Sequence, residues 1–199
     1  MVTSPSFTPS LAGTYRWVAV YNGDANNAPA TGVCGDPAET VDVLQGNPQI
    51  TTQASPDIQV GGVIFDEATV TGRVLPQPGA TIDFKLYGPG DTTCAGPPLF
   101  ESTVSYPVSG GAVRSASFTP TVVGVSRWVA TYSGDANNDS ATGECGDPAE
   151  MVEVSLNPDV ELPATGSETD MLLRTGGVLA ILGLVLLRFG SRRRPSLRS

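Results

Sequence analysis

Histidine is absent from the chain, lysine occurs once, at Lys85, and cysteine three times, at Cys34, Cys94 and Cys145. Without histidine the commonest general base and the commonest metal ligand are both missing. Basic side chains are scarce over most of the length. Before Gly166 there are five against 18 acidic ones, a balance of −13, while six of the 11 fall within the last 26 residues. A surface of that sign repels phosphate backbones, so no nucleic-acid partner is expected. The remaining residues do not assemble the parts of an enzyme either. No Ser or Cys stands beside a base, no glycine-rich phosphate loop occurs, and the adjacent carboxylates Asp66 and Glu67 would point to opposite sides of a strand. We read the chain as non-catalytic, with no cofactor. The opening "MVTSPSFTPS" has neither the basic nor the apolar run of a signal peptide.

What the chain does have is Gly (23) and Pro (17), with frequent Thr, Ser and Val, a mix that favours short strands joined by turns. It also has an internal repeat. Arg16 to Val43, "RWVAVYNGDANNAPATGVCGDPAETVDV", aligns with Arg127 to Val154, "RWVATYSGDANNDSATGECGDPAEMVEV", at an offset of 111 with 21 of 28 positions identical. A period near 110 residues suits a sandwich domain and exceeds a solenoid repeat. Residue 1 then corresponds to Ala112, so the first copy lacks equivalents of roughly Pro48 to Gly111. The expected organisation is therefore a partial repeat over residues 1–46 and a complete one over 47–158. Cys94 can pair with Cys145 inside the complete copy, which leaves Cys34 unpaired in this chain. The rival arrangement joins Cys34 to Cys145 and leaves Cys94 free. On the first pairing the chain reads as the C-terminal end of a longer protein, with the partner of Cys34 ahead of Met1. A disulfide places the domain in an oxidising compartment.

The complete copy reads as strands throughout: Gln49 to Gln53, Gly62 to Gly72, Ala80 to Pro89, Pro98 to Val108, Gly111 to Pro120, Val125 to Gly134 and Ala149 to Leu156. Period-two alternation puts Ile82, Phe84 and Leu86 on one face of the third, and Trp128, Ala130 and Tyr132 on one face of the sixth. These aromatics are assigned to the core. Seven short strands with turns between them predict an all-β, antiparallel Ig-like β-sandwich, with Cys94 and Cys145 stapling one end.

The charge break near Gly166 marks a different region. Thr175 to Leu187, "TGGVLAILGLVLL", carries no charge and precedes "RFGSRRRPSLRS". Its 13 residues would span about 20 Å as a helix. Extension to Met171 and Phe189 takes in Arg174 and Arg188, whose stems can snorkel, and approaches the roughly 30 Å of a bilayer core. A transmembrane helix is expected over 171–189 and a basic cytoplasmic tail over 190–199. A linker, 159–170, holds "LPATG", Leu162, Pro163, Ala164, Thr165 and Gly166. Pentapeptide, apolar run and arginine tail together resemble the sorting signal of LPxTG cell-wall-anchored surface proteins of Gram-positive bacteria. The resemblance implies that a sortase transpeptidase cleaves between Thr165 and Gly166 and passes Thr165 to a peptidoglycan precursor. Membrane retention through the helix is then an intermediate. A permanent membrane anchor behind a plain linker is the competing reading.

"YSGDANN" (Tyr132 to Asn138) and "YNGDANN" (Tyr21 to Asn27) resemble the ending of bacterial Ig-like repeats found in tandem on cell-surface proteins. The cysteine pair and the "CGDPAE" ending depart from that pattern and look most similar to the repeats of actinobacterial wall-anchored proteins. That resemblance implies stalk or adhesive roles and names no ligand. The loop can be read as a tight turn or, through Asp135, Asn137, Asn138 and Asp139, as a calcium site. Ala28 replaces Asp139 in the first copy, which favours the turn. A Lys–Asn isopeptide, known from some such sandwiches, would need Lys85, whose strand pattern points it away from Phe84 and Leu86. The expected function is a wall-anchored surface protein with Ig-like modules as spacer. The alternative is an adhesin whose modules bind a host or matrix ligand.

Overall fold

The computed structural model describes residues 2–157, and these are all-β. The linker, the expected helix over 171–189 and the basic tail lie outside the described residues. The first repeat segment forms β1 (Gly13–Arg16), β2 (Val20–Tyr21), β3 (Ala30–Thr31) and β4 (Thr40–Val43). The second forms β5 (Gln49–Ala54), β6 (Ile58–Gln59), β7 (Asp66–Thr71), β8 (Thr81–Tyr87), β9 (Phe100–Ser105), β10 (Val113–Arg114), β11 (Gly124–Tyr132), β12 (Ala141–Thr142) and β13 (Met151–Ser155). A 3-10 turn precedes the last strand of each, Pro37–Glu39 and Pro148–Glu150.

The complete copy is a two-sheet sandwich. One sheet runs β10-β7-β5; the other runs β6-β13-β11-β8-β9, with β12 also on β11. Alternation decides which side chains meet between them. Ile82, Phe84 and Leu86 of β8 and Trp128, Ala130 and Tyr132 of β11 are all buried, while the intervening Lys85 is exposed. Lys85 pairs across the strands with Glu101 at 3.6 Å, on the face away from the core. From the other sheet come Ile64, Ala68 and Val70, and the loop-anchored Tyr106 closes one end. Fully burying one such side chain stabilises the fold by about 1.5–3 kcal/mol.

Three details differ from the expected strand list. The sandwich is not wholly antiparallel, because β6 pairs with β13 in parallel, Val154 with Ile58 and Ser155 with Gln59. Between β5 and β6 the chain passes from one sheet to the other through Ser55, Pro56 and Asp57. Asp57 secures the corner by accepting from the Glu153 N–H at 2.8 Å. Second, the stretch Gly111 to Pro120 forms only the two-residue β10. Val113 pairs with Ala68 and Arg114 with Glu67, but Phe118 then pairs with Ile64, a slip of one residue that marks a bulge. Third, β12 adds a two-residue strand that alternation is too short to reveal.

Strand pairing in the first copy repeats that of the second to the residue. β1 and β4 pair Gly13 with Val43 through Arg16 with Thr40, and β11 and β13 pair Gly124 with Val154 through Arg127 with Met151. Burial does not repeat. Trp17 is 40% exposed and Tyr21 46%, against 0% for Trp128 and Tyr132.

Candidate functional site

Cys94, in the loop between β8 and β9, is bonded to Cys145, in the loop between β12 and β13, with Cα atoms 5.9 Å apart and a sequence separation of 51. This is the pairing within the complete copy, and Cys34 is an exposed free thiol. The loop is shaped for the bond by Asp91. Its carboxylate accepts from the N–H groups of Gly96 at 2.8 Å, Thr93 at 3.2 Å and Ala95 at 3.3 Å. Those bonds, the one from Gly96 foremost, hold the acid below its ordinary range. They also wrap around Cys94, which sits at φ 53°, a left-handed conformation that costs a non-glycine residue. In the chain-entropy account, closing a loop of about 50 residues stabilises the fold by about 4 kcal/mol.

The second constellation is the loop after β11. Asp135 folds it: the carboxylate accepts from the Tyr132 hydroxyl at 2.8 Å, the Asn137 N–H at 2.8 Å and the Asn138 amide at 2.9 Å. Burial pushes Asp135 up, but the bonds from Asn137, Asn138 and Tyr132 outweigh it and leave the acid below its usual range. Gly134 adopts φ 79°, and a Cβ there would lie 2.8 Å from the Asn138 carbonyl. The two asparagines then reach outward from this turn. The Asn138 side chain donates to the Val74 carbonyl at 3.0 Å and accepts from the Val74 N–H. The Asn137 amide donates to Leu75 O at 2.8 Å and to Ser10 O at 2.9 Å, and its oxygen accepts from the Ala12 N–H at 2.8 Å. Ser10 and Ala12 belong to the first repeat segment. The connecting stretch is held by the same loop. Gly46 N donates to Asn137 O at 2.7 Å and Asp139 N to Gly46 O at 2.9 Å, while Gln45 donates to Asp135 O at 3.0 Å. A Cβ on Gly46 would meet Asn138 Oδ1 at 2.9 Å, so the close approach requires glycine.

This geometry makes the loop a joint between repeats. Of the calcium candidates, Asp135 and Asn137 spend their oxygens on the protein's own N–H and O–H groups, and Asp139 is exposed beside them. No group of three or more His, Cys, Asp or Glu converges as metal ligands among the described residues.

One pair was not singled out from the sequence. Asp66, buried at 0%, and Glu150, at 1%, lie close enough to shift each other's titration, and none of their four carboxyl oxygens has a hydrogen-bond partner of ordinary geometry among the described residues. A proton shared between the two carboxyls would supply the missing donor. Burial, and then the charge of Glu150, push Asp66 up to about 8, and burial raises Glu150 as well. Asp147 positions Glu150 by capping the 3-10 turn, accepting from the Ala149 N–H at 2.9 Å, with Pro148 at the first helical position. The signal was present in the alternation: Ile64, Asp66, Ala68 and Val70 share one face, and that face is core. Glu67 is exposed on the other side.

The sorting motif Leu162, Pro163, Ala164, Thr165 and Gly166 lies outside the described residues. No protein-family model and no curated protein matches the chain. Similar solved structures include the CARDB domain of the PF1109 protein from Pyrococcus furiosus in a crystal complex with di-metal ions, at 17% identity and TM-score 0.37, covering 59% of this chain and 100% of that one. A solution NMR structure of that CARDB domain matches at 20% identity and TM-score 0.33, covering 55% and 97%. At these values the likeness carries no functional argument. The chain is thus defined by its own geometry, as an all-β sandwich stapled by one disulfide and preceded by a second, partial copy of its closing strands.

Proposed function

We propose that the chain is the anchored end of a Gram-positive cell-wall surface protein, with Ig-like modules that serve as a non-catalytic spacer for a more distal region. The observation that carries the reading is the C-terminal order: "LPATG" at Leu162 to Gly166, the uncharged run Thr175 to Leu187, then Arg192, Arg193 and Arg194. A peptide presented for cleavage must be held at the membrane while the enzyme acts. An apolar helix with a basic stop behind it meets that need. Sortase and the peptidoglycan precursor are then the partners, Thr165 the residue transferred, and the cell wall the destination. A spacer between envelope and surroundings benefits from covalent closure and stiff joints. The Cys94–Cys145 bond and the asparagine joint at Gly46 support that role.

Thr165→Ala tests the reading in the native host. The protein is expected to leave the wall fraction and accumulate in the membrane fraction, and the wall-released wild type is expected to end at Thr165. Unchanged partitioning of the variant would overturn sorting and leave a membrane-retained surface protein.

A further inference from the structure

The first repeat segment presents the closing strands of a sandwich without the sheet that covers them in the second copy. Nine of the 13 buried residues of the core cluster lie between Ala54 and Tyr106; the other four are Trp128, Ala130, Tyr132 and Val152. The segment keeps the counterparts of those four, Trp17, Ala19, Tyr21 and Val41, and all are exposed. Trp17, Phe7, Tyr15 and Val41 line an open groove of about 620 Å³. In the second copy Phe100 stands edge-on to Trp128 at 6.1 Å and packs on Phe118 at 5.3 Å. In the first copy Phe7, the counterpart of Phe118, leans directly on Trp17 at 6.4 Å, and the place of Phe100 is taken by no residue of this segment.

Three further groups point to the same occupant. Cys34 is a free thiol where Cys145 is bonded to Cys94. Glu39, whose counterpart Glu150 is buried against Asp66, is exposed. Asp24 folds the loop after Tyr21 through Asn26 N and the Asn27 amide, as Asp135 does, but the Asn26 side chain, counterpart of the one that binds Leu75, is exposed with no hydrogen bond among the described residues. Core, thiol, carboxyl and amide each lack what residues 47–111 supply in the second copy.

We propose that residues 2–46 are a preformed acceptor face for the first half of a module of this same repeat, a polypeptide with the chemistry of residues 47–111. It docks by adding its strands to β1 and covering Trp17 and Tyr21, and Cys34 then locks it through a disulfide to the cysteine equivalent to Cys94. With oxidised glutathione as the oxidant, the two thiols become one disulfide and glutathione leaves as two thiols, which carry the protons away. The proposal does not depend on sorting, and its readouts do not involve the C-terminus.

The test is the full chain with residues 47–111 repeated directly ahead of Met1, the junction the 111-residue offset dictates. A second version carries Ser for the added cysteine. Both are refolded in a glutathione buffer and compared with the unmodified chain by thiol titration and by acrylamide quenching of the two tryptophans. In the unmodified chain the exposed Cys34 is expected to react with the thiol reagent and the exposed Trp17 to be quenched. The first version is expected to lose its free thiol and the quenching of Trp17. The Ser version should keep the thiol free and still protect Trp17, since strand addition precedes the lock. Trp17 quenched in both versions as in the unmodified chain overturns the proposal. Protection only when the disulfide forms overturns docking by strand addition.

Discussion

Two carboxyl groups share the interior of the sandwich, Asp66 at the head of β7 and Glu150 at the end of its 3-10 turn. Burying two negative charges without a cation costs far more than burying one shared proton, so the folded state binds protons that the unfolded chain releases. The direction of the resulting pH dependence follows from both acids being raised, Asp66 to about 8. Their contribution is fully present below the unfolded carboxylate range and is lost as pH rises through about 8. Asp24, Asp91 and Asp135 are lowered instead, so their contribution fades only as pH falls below the ordinary carboxylate range. The unfolding free energy, and with it the urea midpoint, is therefore expected to fall between about pH 5 and about pH 8, the free energy by at most roughly 1.4 kcal/mol per pH unit for each proton involved. Asp66→Asn removes one of the two titrating carboxyls and gives Glu150 an amide donor. Its profile should be flatter than the wild type and cross above it on the alkaline side. A wild-type midpoint that does not move over this window would mean that no proton is held between the two groups.

Strand elements differ in how far their sequence announces them. β8 and β11 alternate over seven and nine residues, and every residue assigned inward is buried. β6 and β12 are two residues each, below the length at which a period exists, and the bulge after β10 is set by the pairing of Phe118 with Ile64 across the chain. Repeat logic reached the disulfide where local pattern could not, because only the complete copy holds both cysteines. That bond acts on elements rather than on the core, tying the β8–β9 loop to the approach to β13. Replacing Cys94 and Cys145 together by Ser is expected to lower unfolding stability by about 2–5 kcal/mol while Trp128 stays buried. Denaturation followed by tryptophan emission checks both parts. A loss below about 1 kcal/mol would show that the hydrogen bonds of Asp91 hold the loop alone.

For the molecule as a whole, the decisive feature is the attachment of residues 2–46 to the sandwich. The turn composition of "YSGDANN" was legible as a turn. Its reach was not, since Asn137 binds the main chain of Ser10 and Ala12, more than 120 positions away, and backbone groups leave no mark in a sequence. The same holds for Gly46, whose requirement arises from Asn138 and Val74 pressing on it. Asn137→Ala separates the joint from the turn, because the Asp135 bonds to the Asn137 N–H and to Asn138 do not use the Asn137 side chain. The variant strands the Ser10 and Leu75 carbonyls and the Ala12 N–H, three groups that lose a buried amide at once. A loss of about 1–3 kcal/mol in overall stability is expected. The more specific readout is nitrogen-15 relaxation: residues of β1 and β4 should tumble with the sandwich in the wild type and faster than it in the variant. Asp139→Ala, which touches only an exposed side chain, should leave that rate unchanged, and added calcium should not restore coupled tumbling to Asn137→Ala. Coupled tumbling that survives Asn137→Ala would assign the joint to Gly46 and Gln45, and a calcium-dependent recovery would return the loop to metal binding.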